Sequence, residues 1–202
     1  MDADVQFVTN KMCPFAQKAW IALEEKKVDY ELTEVGLYGS GGKPSWFIKM
    51  NPKGLVPVLR HGSKVVVESN DICKYIDAQF GSANSLCPPG EGKGSVEWWM
   101  QLMDSKVLPL GKQTINGRSS SSDQFHAALK EFDGAVKGPY LLGDDITLAD
   151  IVAAPMIWRI RTEASSLNVT PKEYPNLCAW MDKVSSRPSF SKTVSASWWW
   201  WW

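Results

Sequence analysis

The sequence has no excess of charge of either sign and no long apolar run. Its 22 lysines and arginines balance 22 aspartates and glutamates, so no overall field draws it to nucleic acid or an anionic membrane. No apolar stretch reaches the ~18 residues that a membrane-spanning helix needs, and the first ten residues lack the basic and apolar regions of a secretory signal. We therefore expect small-molecule substrates, no nucleic-acid partner and no stable membrane insertion.

Closely spaced cysteines and partnered histidines are also lacking. The spacing of the four cysteines argues against a disulfide framework and a CxxC-type zinc site, and it favours a reducing compartment, the cytoplasm. Neither histidine has a neighbour that suggests a Cys-His pair or a metal site, so no metal is expected. These residues are Cys13, Cys73, Cys87, Cys178, His61 and His126.

Apolar segments alternate with turns in the first 80 residues and predict a mixed α/β unit. The predicted strands cover residues 5–8, 30–35, 55–60 and 64–67, and the predicted helices cover 14–27, 45–50 and 68–80. This order gives one parallel crossover and one antiparallel hairpin on a four-stranded sheet. Pro57 falls inside the third predicted strand, where a trans proline removes a ladder donor, so we expect a cis Val56–Pro57 bond in a functional turn.

The composition changes to Gly, Ser, Pro and Asn over residues 81–94, which predicts a linker. Helical periodicity dominates afterwards, and the residues from Thr147 to Asp150 have the form of a helix capping box. The last helix is predicted to begin near Pro175. The predicted domains are thus residues 1–80 and 95–197, and we do not assign the low-complexity tryptophan run at 198–202 to native structure.

Cys13 is the strongest candidate for chemistry, because it stands immediately before a predicted helix that starts with Pro14. The positive end of the helix dipole and the unpaired first-turn N–H groups lower the pKa of such a thiol, and Lys11 adds positive charge. A buried structural cysteine is the alternative, but Cys13 lies in a loop rather than on the apolar stripe. Ala16 occupies the place of a resolving cysteine, so a disulfide formed on Cys13 needs an external thiol.

Three segments carry a family resemblance: CPFAQKAW, KPSWFIKMNPKGLVPVL and VVVESNDICKYID. They resemble the cysteine-type glutathione transferases, namely the omega, lambda and dehydroascorbate reductase classes, and GPYLLGDDITLADIVAAP is similar to the family's C-terminal signature. The resemblance implies a thioredoxin-like N-terminal domain, an all-α C-terminal domain and glutathione as co-substrate. It also implies that Cys13 forms a mixed disulfide with glutathione and that Lys43 contacts the glycyl carboxylate.

The remaining predicted site residues have physical reasons of their own. The backbone of Val56, before Pro57, can pair with the cysteinyl part of glutathione as an added strand would. Ser69 and the first-turn N–H groups of its helix can accept the γ-glutamyl carboxylate, and Glu68 can bind the ammonium group. A plain N-cap is the alternative role of Ser69 and is compatible with binding.

The function expected from these residues is glutathione-dependent reduction of dehydroascorbate or of mixed disulfides by a monomer or homodimer. Glutathione conjugation is an alternative, although it needs a Ser or Tyr hydroxyl where Cys13 stands. A non-enzymatic binding protein or a channel-like relative is another alternative.

Other side chains are better explained by structural roles. Cys73 and Cys178 are interpreted as core residues, Cys87 as a linker thiol and Asp150 as a capping residue. Four more are interpreted as packing residues that could also line a second-substrate pocket: Trp98, Trp99, Trp158 and Arg161.

Overall fold

The computed structural model describes residues 4–37, 42–81, 85–116 and 120–195. Their chain forms two compact units, one with the described residues up to 81 together with 193–195, the other with residues 85–192. The tryptophan run at 198–202 and part of the predicted linker, at 82–84, lie outside the described residues.

The first unit contains one mixed sheet and three helices. Its strands are ordered β2-β1-β3-β4, with β1 parallel to β2 and β3 antiparallel to both β1 and β4. This topology confirms the predicted crossover and hairpin on a four-stranded sheet. The elements are β1 (Val5–Thr9), α1 (Pro14–Glu25), β2 (Glu31–Glu34), α2 (Ser45–Met50), β3 (Val58–His61), β4 (Lys64–Val67) and α3 (Ser69–Gln79).

The predicted start of the third strand needs a correction. The strand β3 begins at Val58 rather than at residue 55, because its ladder to β1 starts with the pair Val8 and Val58. Pro57 precedes the strand and has no N–H to contribute to a ladder. The Val56–Pro57 bond is cis, as predicted.

The buried face of α1 also differs from the apolar stripe that its sequence predicts. Phe15 and Trp20 are only partly buried, whereas Gln17 and Lys18 are each 1% exposed. Lys18 lies within 3.4 Å of Asn70 Oδ1 in α3, so the helix that packs on α1 supplies a polar partner for the ammonium group. A periodicity rule cannot anticipate a lysine that is buried with a polar partner on another element.

The second unit is helical. A continuous helical stretch includes α4, a π-helical segment and α5, and a short helix that the sequence did not predict, α9, follows α8. Trp99, Phe132 and Trp180 form the aromatic centre of this unit, with ring centroids 4.8 Å apart for Trp99 and Phe132 and 5.1 Å apart for Phe132 and Trp180. The elements are α4 (Val96–Leu102), the π segment (Met103–Val107), α5 (Leu108–Ile115), α6 (Ser120–Ala135), α7 (Leu148–Glu163), α8 (Pro175–Ser185) and α9 (Pro188–Thr193).

The predicted capping box at the start of α7 is present, with Thr147 at the N-cap and Asp150 at the third helical position. Together the α/β first unit and the helical second unit confirm the predicted fold class. Within the described ranges, none of the helices is long and apolar enough to cross a bilayer.

Candidate active site

Cys13 occupies the N-cap position of α1, at the end of a tight turn that leaves β1. Its N–H donates to Asn10 O over 2.9 Å, and its carbonyl accepts from Gln17 N over 3.0 Å, so Cys13 closes the turn and opens the helix. Pro14 is the first helical residue, where its missing N–H has no intrahelical partner to lose. The side chain is 9% exposed. This position presents the thiol to the positive end of the helix dipole.

The other thiols have different surroundings. Cys73 in α3 is fully buried, and burial raises its pKa to about 12, against the opposing charge of Lys18. Cys178 in α8 is 1% exposed, and Cys87 is partly exposed. Cys73 is therefore a protonated core residue at neutral pH, whereas Cys13 and Cys87 are the thiols to compare for reactivity.

Ala16 stands one helical turn after Cys13 and is fully buried. A cysteine in this place would form the second half of a Cys-x-x-Cys motif. The four cysteines of the chain are all free of disulfide bonds.

The segment before β3 carries Val56 and Pro57. Pro57 is buried and Val56 is partly buried. Val56 packs on a small apolar cluster formed by Val8, Val35, Phe47 and Val58, which anchors the cis-proline turn to the sheet.

Glu68 and Ser69 stand where β4 ends and α3 begins. Glu68 is the N-cap residue and has a φ of 66°, in the left-handed region that a non-glycine residue seldom adopts. Its carbonyl accepts from Ile72 N over 2.9 Å, and its carboxylate accepts from Lys53 Nζ over 2.8 Å. The expectation that Ser69 could be the N-cap is wrong. Ser69 is the first helical residue, because the backbone turns at Glu68.

Lys43 lies between β2 and α2 and is partly buried. Its Nζ donates to the carbonyls of Gly36 and Leu37, each over 3.3 Å. The ammonium group therefore lies beside the segment that leaves β2.

Strand register brings these segments to one edge of the sheet. Val58, the first residue of β3, pairs with Val8 near the end of β1 and with Val67 at the end of β4. Three segments therefore lie at the same edge of the sheet: the Cys13 turn, the Val56–Pro57 segment and the Glu68–Ser69 turn. Thr9 pairs with Glu34 at the end of β2, so the segment that Lys43 contacts leaves from this edge too.

Sequence reasoning missed two kinds of residue at this edge. Asn10 and Asn51 are 6% and 5% exposed, and the side-chain oxygen of each accepts from an N–H of its own turn. Lys53 forms an exposed ion pair with Glu68. The signal for the asparagines was an Asn three residues before Cys13 and another three residues before Gly54, since Asn favours such turns.

Candidates outside this edge have ordinary roles. Trp99 is fully buried, Trp158 packs against Phe190, and Arg161 donates to Asp182 Oδ1 over 2.8 Å. No cluster of three or more metal-binding side chains occurs in the described ranges.

A sheet of this strand order, with a cysteine before its first helix and a cis proline before its third strand, defines the thioredoxin-like class, here followed by a helical unit. Two family models match the chain: the glutathione S-transferase N-terminal domain over residues 12–79 and the glutathione S-transferase C-terminal domain over residues 99–188. The chain belongs to the glutathione S-transferase family, and glutathione is accordingly its co-substrate.

Individual relatives agree with the classes that the sequence resembles. The chain is 27% identical over 192 residues to the probable cytosolic glutathione S-transferase DHAR1 of Oryza sativa subsp. japonica, covering 91% of this chain and 84% of that protein. It is 29% identical over 206 residues to glutathione S-transferase L1 of Arabidopsis thaliana, covering 97% and 84%. The structure of glutathione transferase Omega 3C from Trametes versicolor matches with a TM-score of 0.84 and 24% identity, covering 98% of this chain and 91% of that one.

Proposed function

We propose that this protein is a glutathione-dependent thiol oxidoreductase in which Cys13 forms a mixed disulfide with glutathione. One observation carries the proposal: Cys13 is the N-cap residue of α1, while buried Ala16 takes the place of a resolving cysteine. The helix terminus favours the thiolate. Without an internal second thiol on this helix, regeneration of Cys13 falls to glutathione.

The proposed reaction on a glutathione mixed disulfide has two exchanges. The Cys13 thiolate attacks the glutathione sulfur, a Cys13–glutathione disulfide forms, and the substrate leaves as a thiolate that takes up a proton. A second glutathione thiolate then attacks the glutathione sulfur of this adduct, and oxidised glutathione leaves as the Cys13 thiolate returns. The net reaction converts one mixed disulfide and one reduced glutathione into the substrate thiol and one oxidised glutathione, so atoms and electrons balance.

Dehydroascorbate is the second proposed substrate. Cys13 adds to a carbonyl carbon, and a glutathione thiolate then attacks the Cys13 sulfur. The carbon–sulfur bond breaks, its electron pair stays with the sugar-derived product, and ascorbate leaves after protonation. The resulting Cys13–glutathione disulfide is reduced by a second glutathione, as in the first reaction.

The residues at the sheet edge suit the three parts of glutathione. The Val56 backbone before Pro57 can pair with the cysteinyl part as an added strand. Ser69 and the first-turn N–H groups of α3, a helix of 11 residues, suit the γ-glutamyl carboxylate, and the exposed Glu68 suits its ammonium. Lys43 suits the glycyl carboxylate. Since Lys53 contacts Glu68 at 2.8 Å, a bound γ-glutamyl ammonium would share or replace that contact.

The decisive experiment compares Cys13→Ser with the matched variant Cys87→Ser. Each protein is treated with oxidised glutathione and examined by intact mass and peptide mapping, and reductase activity is assayed with dehydroascorbate and a model disulfide. We expect one adduct on Cys13 in the parent and in Cys87→Ser, and loss of both adduct and activity in Cys13→Ser.

Other outcomes distinguish the rivals. An adduct on Cys87 alone would mean that the wrong thiol was chosen, and unchanged reductase activity in Cys13→Ser would overturn the mechanism. Conjugation as the main activity predicts high parental turnover of a model electrophile. Binding without any turnover would indicate a non-enzymatic binding protein or a channel-like relative.

We also propose a cytoplasmic location and a monomeric or homodimeric state. The cytoplasm suits four cysteines without a disulfide bond. Cell fractionation and light scattering after size-exclusion chromatography test these two points.

A further inference from the structure

Asn10 folds the turn that presents Cys13. Its side-chain Oδ1 accepts from Met12 N over 3.0 Å, and its backbone carbonyl accepts from Cys13 N over 2.9 Å. Its Nδ2 donates to Val35 O, one residue after β2, over 2.8 Å. One buried amide therefore holds both the shape of the turn and its attachment to the neighbouring strand segment.

Asn51 makes the same pattern before the cis-proline segment. Its Oδ1 accepts from Lys53 N over 3.2 Å, its carbonyl accepts from Gly54 N over 2.8 Å, and its Nδ2 donates to Leu55 O over 2.8 Å. In both turns the side-chain oxygen binds the N–H two residues on, and the carbonyl binds the N–H three residues on. Gly54 has a φ of 62°, which suits a glycine at the end of this turn.

We propose that Asn10 and Asn51 are a matched pair of positioning residues, of which Asn10 aims the nucleophile and Asn51 aims the backbone that docks glutathione. The inference rests on the proposed function. The Asn10 amide ties its loop to Val35, and the Asn51 amide closes its own loop onto Leu55. Each loop leads directly to one half of the proposed site. Neither asparagine is assigned a contact with substrate.

The two halves of the site should respond separately to the two asparagines. Removing the Asn10 amide leaves Met12 N–H and Val35 O without these partners, so the turn relaxes and the Cys13 thiol moves off the helix terminus. Removing the Asn51 amide does the same to Lys53 N–H and Leu55 O, which shifts Val56 and leaves the Cys13 turn intact. Each variant loses one accepted and one donated hydrogen bond of a buried amide, but the donated bond of Asn10 reaches a segment 25 residues away and that of Asn51 stays within its own loop.

The first measurement is the rate at which iodoacetamide alkylates Cys13, followed by mass spectrometry from pH 5 to 9. We expect Asn10→Ala to lower the rate near pH 6.5 about fivefold and to move the pH midpoint upward, because the thiolate loses the helix terminus. Asn10→Ser keeps a side-chain oxygen that can accept from Met12 N–H, so it should restore most of the rate. Asn51→Ala should alkylate like the parent.

The second measurement is the affinity for S-methylglutathione, by calorimetry in a Cys13→Ser background. We expect Asn51→Ala to weaken binding about fivefold to tenfold, the range that corresponds to one or two lost hydrogen bonds, and Asn10→Ala to leave it within about twofold. Parallel losses of both properties in both variants would show a merely structural role and overturn the proposal, as would two variants that match the parent.

Failure of the proposed function has a different signature. If the parental Cys13 reacts with iodoacetamide no faster at pH 6.5 than an ordinary cysteine does, Cys13 is not the nucleophile, whatever the asparagines do. If the parent reacts fast and Asn10→Ala reacts equally fast, only the positioning role is wrong. Should Asn10→Ala fail to fold, the contrast between Asn10→Gly and Asn51→Gly supplies the same test, because glycine removes the same side-chain hydrogen bonds and is well tolerated in turns.

Discussion

Replacing Asp150 tests the packing of the helical unit most directly. This carboxylate is fully buried at the start of α7 and accepts four hydrogen bonds. Leu141 N and Trp180 Nε1 donate to Oδ1, each over 2.8 Å, and Thr147 donates to Oδ2 through its N–H over 2.8 Å and its hydroxyl over 2.9 Å. Burial raises the pKa of Asp150, and the four donors oppose that rise.

Asp150→Ala leaves three N–H donors without their acceptor in a buried place. A buried donor that loses its partner costs about 1–3 kcal/mol, so after partial relaxation we expect a loss of about 4 kcal/mol. For a chain of this length each kcal/mol lowers Tm by about 2–4 °C, which gives a fall of about 12 °C. Asp150→Asn keeps one acceptor oxygen for Leu141 and Trp180 but places an amide N–H against Thr147 N–H, and we expect a loss of about 2 kcal/mol.

The assay is thermal unfolding followed by circular dichroism, with Asp182→Ala as the matched control. The Asp182 side chain is 69% exposed and pairs with Arg161 on the surface, so its loss should cost less than about 1 kcal/mol. Equal shifts in Tm for the two alanine variants would refute the reasoning, because the four buried hydrogen bonds would then contribute no more than a surface ion pair.

Three further changes probe the first unit. The Cys73 thiol has an ordinary pKa in the unfolded chain and a pKa of about 12 in the folded protein. The free energy of unfolding should therefore fall as pH rises from about 8.5, by up to ~1.4 kcal/mol per pH unit. The denaturant midpoints of Cys73→Ala should not show this decrease with pH. Glu68→Gly relieves a φ of 66°, so it should raise the free energy of unfolding by up to about 1 kcal/mol and weaken glutathione binding, measured by calorimetry. The control Lys27→Gly relieves a φ of 52° and should leave glutathione binding unchanged. Lys26 and Asp77 form a buried ion pair 2.7 Å apart. Lys26→Met should therefore lower the free energy of unfolding in urea by about 3 kcal/mol, and the double variant with Asp77→Leu should recover most of that loss. A Lys26→Met variant as stable as the parent would contradict this.

Most of the fold follows from local pattern. The strand and helix order of the first unit was readable from apolar alternation and turn residues, and the parallel crossover followed from the order alone. The capping box at Thr147 was readable because it is a local motif of four residues. The pattern failed for α1, where Lys18 is buried, because its partner Asn70 lies 52 residues away.

The candidate site was readable in part for the same reason. Cys13 before Pro14 predicts a thiol at a helix start, and Pro57 in a strand pattern predicts a special turn. The left-handed backbone of Glu68, its ion pair with Lys53 and the bond from Asn10 to Val35 were not readable. The ion pair and the hydrogen bond join residues that are neighbours only after the sheet has formed, and the backbone of Glu68 is set by the turn from β4 into α3.

Sequence by itself determined that this chain carries a helix-terminal cysteine, that Ala16 stands where a resolving cysteine would be, and that a proline forces a special turn beside the third strand. These are properties of neighbouring residues, and local sterics and dipoles set them. Only the tertiary structure decided that the Cys13 turn, the Val56 segment and the Glu68 turn leave the sheet at one edge, because the register of Val58 with Val8 and Val67 comes from pairing between distant strands.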